Sequence, residues 1–198
     1  MVIGLTGGIG SGKSTVAAIF KLLGCKLFNS DNVSNQIYFE ENVKSQIISL
    51  LGSEAYLNDT SINKPYINSK IFSNTILLQQ LNAIIHPAVK NKFETFKNEA
   101  LINSASKNQL IIKETALLFE ANLQHQVDKI ILVTANDDLR IKRTMLRDGL
   151  TKEDVIKKIN SQLSQTEKIK QSHYIIDNNE TQLLIPQVIS IHKQLLNA

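Results

Sequence analysis

The amino-acid sequence predicts an α/β fold in which a five-stranded parallel sheet is flanked by helices. Two observations carry this prediction. Short apolar runs rich in β-branched residues alternate with segments of helical periodicity, which is typical of a parallel sheet covered on both faces. The first of these runs also leads directly into a cluster of glycines and then into an amphipathic helix. Because open α/β sheets bind ligands at the carboxyl ends of their strands, we expect the functional residues at this edge.

Five segments have the length and composition of buried strands. They are residues 2–6, 25–28, 109–113, 129–134 and 173–177. The helix after the first strand is predicted from the spacing of Val16, Ile19, Phe20 and Leu23, with Gly24 as its stop signal.

Helical periodicity dominates residues 32–105, which we interpret as a helical insertion. A polar stretch at 52–65 is expected to form a loop within it. Pro87 suits the first turn of a helix, with His86 just before that helix. His86 could therefore have a purely structural role as well as a functional one.

The second half of the chain predicts three further helices. They cover 138–148, 151–164 and the region around 183–191, the second opened by the capping pattern Thr151-x-x-Asp154. The chain is long enough for one domain. Its expected parts are a core of 1–31, 106–138 and 165–198, the insertion of 32–105, and a lid of about 139–164.

Composition and charge narrow the class of protein. The net charge of +4 is spread along the chain, which gives no support for nucleic-acid binding and only weak support for a polyanionic ligand. The single cysteine, Cys25, excludes an internal disulfide and is expected in the core. No apolar run is long enough to span a membrane, and the first strand leaves no room for a signal peptide. We therefore expect a cytoplasmic protein, with a monomer as the default.

A phosphate-binding loop is the strongest motif in the sequence. Residues 7–14 satisfy the pattern G-x-x-x-x-G-K-[ST] between a strand and a helix, which is the context that gives this pattern its mechanism. Glycines allow successive backbone N–H groups to point at phosphate oxygens, and the helix that follows adds its positive end. The residues expected to bind ATP here are Gly8, Gly10, Ser11, Gly12, Lys13, Ser14 and Thr15.

Within this loop, the side chains have separate expected roles. Lys13 would contact the β- and γ-phosphates, Ser14 would offer its hydroxyl to Mg²⁺, and Thr15 would lie near the α-phosphate. A dinucleotide site is excluded because the glycine spacing does not fit G-x-G-x-x-G. The loop alone leaves open whether the nucleotide is a phosphate donor, a switch or a fuel, although the chain lacks the Asn-Lys-x-Asp of GTPases.

Asp31 is the candidate catalytic base. It follows the second predicted strand, so its carboxylate can face the phosphate loop and take the proton of an acceptor hydroxyl. The alternative is a helix N-cap, for which aspartate after a strand is also common.

Three arginines, Arg140, Arg143 and Arg147, lie on one predicted helix. Arg143 and Arg147 are four residues apart and share a face, so this segment is a candidate lid whose guanidinium groups stabilise the transferring phosphate. The alternative is a solvated helix face.

Several segments in order along the chain resemble the dephospho-coenzyme A kinase family. They are the loop Thr6–Thr15, Ser30-Asp31, Leu81-Asn-Ala-Ile-Ile-His-Pro87, Leu117-Leu-Phe-Glu120, Arg143-x-x-x-Arg-Asp-Gly149 and Ile175-Ile-Asp-Asn-Asn179. The resemblance implies a P-loop kinase fold. It also implies transfer of the γ-phosphate of ATP to the 3′-hydroxyl of dephospho-coenzyme A, with Mg²⁺. The alternatives are a P-loop kinase for another small acceptor, such as a nucleoside monophosphate, and a nucleotide switch.

By this resemblance Lys13, Asp31, Arg143 and Arg147 are catalytic and the helical insertion binds the acceptor. The acceptor-binding residues it implies are Thr6, Asp31, His86, Glu114 and Leu117. Two positions depart from the family pattern: Glu114-Thr-Ala116 stands where Asp-x-Pro is usual, and Lys168 where an arginine is common after the lid.

Overall fold

The computed structural model of the 198-residue chain describes residues 1–72, 74–102 and 109–197. The chain divides into two compact units. One unit consists of Met1–Asn29 and Ala100–Ala198, and the other of Ser30–Glu99. The predicted boundary between residues 105 and 106 lies outside the described residues.

The described part of the chain contains seven strands and nine α-helices. The strands are β1 (Val2–Gly7), β2 (Lys26–Asn29), β3 (Tyr56–Asn58), β4 (Ser61–Ile62), β5 (Ile111–Glu114), β6 (Lys129–Thr134) and β7 (Tyr174–Asp177). The helices are α1 (Lys13–Leu22), α2 (Ser30–Ile37), α3 (Glu41–Leu51), α4 (Lys64–Ile71), α5 (Thr75–Ile102), α6 (Asp137–Asp148), α7 (Lys152–Asn160), α8 (Gln165–Lys170) and α9 (Leu184–Leu196).

The predicted five-stranded parallel sheet is confirmed in the first unit. Its strand order is β2-β5-β1-β6-β7, and every pairing is parallel. The register places Glu114 beside both Leu5 of β1 and Asn29 of β2. Glu114, at the carboxyl end of β5, therefore lies between the end of β2 and the strand that leads into the phosphate loop.

The core of this unit is built from the inward faces of the sheet and from helices α1 and α9. Its completely buried members include Ile3, Leu5, Phe20, Ile131 and Val188. Burial of each such side chain contributes about 1.5–3 kcal/mol to folding. Cys25 lies in the same cluster, as expected.

Helix α1 begins at Lys13 and ends as the sequence predicts. Gly24 has a φ of 88°, its N–H donates to the carbonyl of Lys21, and the N–H of Cys25 donates to that of Phe20. These two bonds form a Schellman motif, which needs a residue that tolerates positive φ. The stop at Gly24 fixes where β2 can start.

In the second unit, residues 52–65 are more ordered than the predicted loop. Strands β3 and β4 form an antiparallel pair there, joined by a turn in which the side chain of Asn58 accepts from the N–H of Thr60. Tyr56 anchors the pair, because its ring packs on the apolar cluster and its hydroxyl donates to the carbonyl of Tyr38. The polar turn residues concealed these short strands in the sequence.

The expectation that a helix starts at Pro87 is wrong, because α5 runs through this residue for 28 residues. A proline inside a helix costs about 3 kcal/mol through a lost hydrogen bond and a steric clash. Leu81, Ile85 and Val89 belong to one apolar cluster on both sides of Pro87. Packing of a continuous helix face thus outweighs the local preference of proline.

The helix predicted over 151–164 is shorter than expected. The hydroxyl of Thr151 caps α7 as predicted, accepting from the N–H of Asp154, but α7 ends at Asn160. Helix α8 then begins at Gln165, with Ser164 as the N-cap that accepts from the N–H of Glu167. Ser164-x-x-Glu167 is itself a capping pattern, so the sequence contained the signal for this second helix.

Candidate active site

The predicted phosphate loop connects β1 to α1. The N–H of Ser11 donates to the carbonyl of Gly8 over 3.0 Å, and the N–H of Thr15 donates to that of Gly12 over 3.1 Å. Gly10 and Gly12 have φ values of 76° and 90°, which L-residues rarely adopt. These two glycines are therefore required by the backbone itself.

Other elements also press closely on the loop. A Cβ atom added at Gly8 would collide with the guanidinium of Arg140, and one added at Gly10 would collide with the backbone of Arg140 and with Thr144. At Gly12 it would collide with the side-chain amide of Asn178. The loop is glycine-rich partly because α6 and the end of β7 leave no room for side chains.

Glu114, at the end of β5, gathers the polar side chains at this sheet edge. Its Oε1 accepts from Lys13 Nζ and from Ser14 Oγ, each over 2.8 Å, while its Oε2 accepts from Asn29 Nδ2 over 2.8 Å. Lys13 and Ser14 come from the first turn of α1 and Asn29 from the end of β2. The structure thus brings the two loop side chains together with one of the residues predicted for the acceptor.

Burial makes this cluster electrostatically strong. The side chain of Glu114 is 2% exposed and that of Lys13 is 12% exposed. An ionised carboxylate out of water requires a counter-charge and hydrogen bonds, and Lys13, Ser14 and Asn29 supply both. Glu114 is consequently a fixed negative charge at the phosphate loop.

Three further predicted residues lie in the same unit, and the described structure shows no hydrogen bond from their side chains to Glu114. Thr6 is completely buried in β1, and its hydroxyl has no hydrogen-bond partner among the described residues. Thr15 is exposed in the first turn of α1. Leu117 follows β5 and is about half exposed, 47%.

The arginines of α6 differ in their surroundings. Arg140 is buried, with its Nε donating to the carbonyl of Ile9 over 3.0 Å and its Nη1 to Asp137 over 2.7 Å. Arg143 donates to the carbonyl of Asn178 and to Glu180 over 3.0 and 2.8 Å, and its Nη1 lies 3.5 Å from the carbonyl of Gly10.

Arg147 is mostly exposed and pairs with its neighbour Asp148 over 2.7 Å. The hydrogen bond raises the pKa of the guanidinium and lowers the pKa of the Asp148 carboxyl. An exposed pair of this kind contributes little to stability, so Arg147 can leave Asp148 at low cost.

Asp31 and His86 belong to the other unit. Asp31 lies in the first turn of α2, which begins one residue earlier at Ser30. His86 lies within α5, where burial lowers the pKa of its imidazole.

Sequence reasoning missed two residues that touch the loop, Gln162 and Asn178. The Oε1 of Gln162 accepts from the N–H of Ile9 over 3.0 Å, and Nδ2 of Asn178 donates to the carbonyl of Ser11 over 2.7 Å. Asn178 lies in the segment Ile175–Asn179 on which the family resemblance rests, and that was the only signal for it. Gln162 carried no signal in the sequence.

Among the residues 1–72, 74–102 and 109–197, no group of three or more His, Cys, Asp or Glu side chains is placed to hold a metal ion. The same part of the chain has no helix with the length and apolar character that crossing a bilayer requires. The donors near the loop are instead oxygen atoms, the hydroxyl of Ser14 and the carboxylate of Glu114.

Comparison with known proteins gives a consistent result. The family model described as CoaE, dephospho-CoA kinase, matches residues 1–183. A dephospho-CoA kinase of Chlorobaculum tepidum is 37% identical over 202 residues, covering 99% of this chain and 95% of that protein. One of Geobacillus kaustophilus is 36% identical over 182 residues, covering 91% and 89%.

Solved structures agree with these sequence matches. A Thermus thermophilus protein superposes with a TM-score of 0.85 at 26% identity, covering 98% of this chain and 96% of its own. A dephospho-CoA kinase of Campylobacter jejuni superposes with a TM-score of 0.69 at 23% identity, covering 99% and 97%, which supports the fold. From the family match and the near full-length relatives, we conclude that this chain belongs to the dephospho-CoA kinase family.

Proposed function

We propose that the chain transfers the γ-phosphoryl group of ATP to the 3′-hydroxyl of dephospho-coenzyme A, which is the last step of coenzyme A synthesis. The oxygen of the hydroxyl forms the new P–O bond, the bond from the γ-phosphorus to the bridging oxygen of ADP breaks, and the hydroxyl proton leaves. The observation that carries the proposal is the buried cluster of Lys13, Ser14 and Glu114 at the phosphate loop, in a chain that matches this family almost throughout.

The loop is the proposed ATP site. Its backbone N–H groups and the positive end of α1 suit the phosphates. The Lys13 ammonium is held at the start of α1 by Glu114, and its proposed partners during turnover are the β- and γ-phosphates. Stabilisation of charge on the transferring group by such fixed donors is the main source of catalysis in phosphoryl transfer.

The residues at the loop fit a magnesium ion bound together with nucleotide. Mg²⁺ prefers oxygen donors and commonly takes one or two from protein, with phosphates and water as the others. Ser14 Oγ and Glu114 Oε1 are two such donors, 2.8 Å apart. When bound, the ion would neutralise charge that develops on the phosphates.

We assign the role of general base to Asp31. A carboxylate that orients the 3′-hydroxyl and takes its proton is the group this transfer needs. Asp31 follows β2 by two residues, and β2 ends at Asn29, whose side chain is bonded to Glu114. The other proposed acceptor contacts are Thr6, His86, Glu114 and Leu117, and the proposed acceptor-binding region is the segment 32–105.

We also assign Arg143 and Arg147, both on α6, to the phosphates of ATP. Arg147 forms an exposed pair with Asp148, so its guanidinium N–H donors can turn to a phosphate. We keep a monomer as the default oligomeric state. We propose a cytoplasmic location for the reaction, with small-molecule substrates and no nucleic acid.

The test is ADP release with a panel of acceptors: dephospho-coenzyme A, nucleoside monophosphates, shikimate and gluconate. We expect turnover with dephospho-coenzyme A and a product that carries one added phosphate at the ribose 3′ position by phosphorus NMR. Turnover with one of the other acceptors alone would refute the proposed substrate and leave the fold untouched.

The role of Asp31 has its own test. Asp31→Asn should lower kcat by at least about 100-fold with little change in the affinity for ATP, because a group needed only in the transition state is lost. An unchanged kcat would exclude Asp31 as the base.

A further inference from the structure

The two polar groups of Ile9, in the middle of the phosphate loop, are both held from outside the loop. Its N–H donates to Oε1 of Gln162 and its carbonyl accepts from Nε of Arg140, each over 3.0 Å. These partners lie 153 and 131 residues away in the sequence. The backbone at Ile9 cannot rotate without breaking both bonds.

A second point of attachment lies two residues further on. The carbonyl of Ser11 accepts from Nδ2 of Asn178 over 2.7 Å. Asn178 is fixed in turn, because its own N–H donates to the carbonyl of Thr134 at the end of β6 over 2.8 Å. The sheet thus holds the loop at Ser11, and α6 holds it at Ile9.

These contacts determine where the loop points its amide groups. A trans peptide is planar, so the carbonyl of one residue and the N–H of the next point in opposite directions. With the carbonyls of Ile9 and Ser11 turned towards Arg140 and Asn178, the N–H groups of Gly10 and Gly12 are turned away from them. Gly10 and Gly12 are the residues with positive φ in the loop, which permits this arrangement.

Arg140 acts on the loop rather than on a ligand. Nε is bonded to Ile9 and Nη1 to Asp137, while Nη2 lies against Gly8, where even a methyl group would collide with it. The residue is 5% exposed. A guanidinium fixed on all sides in this way holds the backbone and does not reach a phosphate.

The backbone next to Gln162 is fixed by an ion pair of Lys168 and Glu120. Lys168 Nζ lies 2.8 Å from Oε1 of Glu120, and the same oxygen accepts from the N–H of Leu163 over 2.9 Å. Lys168 is 2% exposed. The restraint at Leu163 limits how far Gln162 can move away from the loop.

We propose that Arg140, Gln162 and Asn178 are positioning residues that hold the phosphate loop in the conformation that binds polyphosphate. These residues affect how the nucleotide phosphates are bound. They do not affect how the adenine or the acceptor is bound. The proposal rests on the loop being the ATP site of the proposed function. It does not depend on which acceptor receives the phosphate.

The test is binding in the absence of any acceptor. Gln162→Met keeps the shape of the side chain and removes the acceptor oxygen, and Asn178→Leu removes the donor to Ser11. Gln165→Met, in the same segment, is the matched control. The probes are ADP, by calorimetry, and inorganic tripolyphosphate, by competition with ADP, and the thermal midpoint of each variant establishes that it is folded.

We expect Gln162→Met and Asn178→Leu each to weaken the binding of ADP and of tripolyphosphate by the same factor, about 3- to 10-fold for one lost hydrogen bond. The KM for ATP should rise with kcat little changed, because the loop binds the phosphates equally in the ground state and in the transition state. Gln165→Met should bind both probes as the unmodified chain does. The proposal would be overturned if both test variants kept their affinity for the two probes. It would also be overturned if they lost affinity for ADP and not for tripolyphosphate.

If dephospho-coenzyme A proved not to be the acceptor, these binding results would be unaffected. If the binding results failed while dephospho-coenzyme A was phosphorylated, only the positioning role would be lost. The two outcomes are therefore distinguishable.

Discussion

The carboxylate of Glu114 lies 2.8 Å from the ammonium of Lys13, so the charge of the phosphate-loop lysine is partly neutralised by a residue of the neighbouring strand. Both side chains are largely buried, and attraction between charges is strong where water is excluded. Polyphosphate must compete with Glu114 for Lys13. The same carboxylate is a suitable neighbour for a bound Mg²⁺ ion.

Replacing Glu114 should therefore have opposite effects on two forms of nucleotide. Glu114→Gln keeps the shape and removes the charge, so we expect tighter binding of metal-free ATP in EDTA. The Mg²⁺ concentration for half-maximal activity should rise by about 10-fold or more, as for other residues that support a metal. Calorimetry and a magnesium titration measure the two effects. Weaker binding of metal-free ATP would show that Glu114 does not compete for Lys13.

Lys13 should contribute to stability as well as to catalysis. Lys13→Met leaves the buried carboxylate of Glu114 without its counter-charge, and we expect a loss of about 1–3 kcal/mol in the free energy of unfolding. The double variant Lys13→Met with Glu114→Gln should recover most of this stability and none of the ATP turnover. Denaturant unfolding of the two single variants and the double variant measures the coupling. Additive losses would contradict a direct interaction.

Gly10 should not tolerate replacement by alanine, for two separate reasons: backbone strain and a steric clash. Gly149 is a control that separates the two. Gly149 has a comparable φ of 66°, but nothing lies within 4 Å of an added Cβ, whereas at Gly10 the backbone of Arg140 is in the way. Gly149→Ala should cost about 1–2 kcal/mol for backbone strain. Gly10→Ala should cost more and should also abolish ADP binding. Equal stability losses with intact ADP binding would show that α6 does not confine the loop.

Cys25 should react with thiol reagents only when the protein opens. It is 4% exposed and burial raises its pKa to about 11, so at pH 8 roughly one thiol in a thousand is ionised in the folded state. The thiolate is the reactive form. Iodoacetamide labelling, followed by mass spectrometry, should be slow in buffer and fast in denaturant. Rapid labelling of the folded chain would contradict the buried position.

His192 should make stability depend on pH. Its ring packs near Phe20, with ring centroids 6.4 Å apart, and burial lowers the pKa of the imidazole. The unfolded state then binds the proton more readily, so stability is present above the ordinary pKa of about 6.5 and falls as the pH drops below it. His192→Gln should reduce the slope of the profile between pH 7.5 and 5, and His86, whose pKa is also lowered by burial, should account for part of the slope that remains. Denaturant midpoints across that range measure it, and identical slopes would exclude His192 as the source.

The sequence was most informative where structure is local. The strand, phosphate loop and helix at residues 2–24 were predicted with their correct order and with the correct stop at Gly24, because glycine positions and apolar spacing act within a few residues. It was least informative at Pro87 and at 52–65. There, packing against an apolar cluster outweighed the local preferences of proline and of polar turn residues.

The candidate functional residues show the same difference between local and tertiary information. Lys13 and Ser14 could be proposed from the sequence because their expected chemistry follows from the spacing of the loop itself. The family resemblance pointed to Glu114, but its bonds to Lys13, Ser14 and Asn29 came only with the pairing of β2, β5 and β1.

The sequence by itself determined that the chain has a phosphate loop on a parallel sheet, and that its motifs resemble those of dephospho-coenzyme A kinases. The tertiary structure alone decided which side chains hold that loop in shape: Arg140, Gln162 and Asn178. The physical reason is distance along the chain. Their bonds to the loop join residues 131, 153 and 167 positions apart, and no local pattern records contacts that form only when the strands and helices pack together.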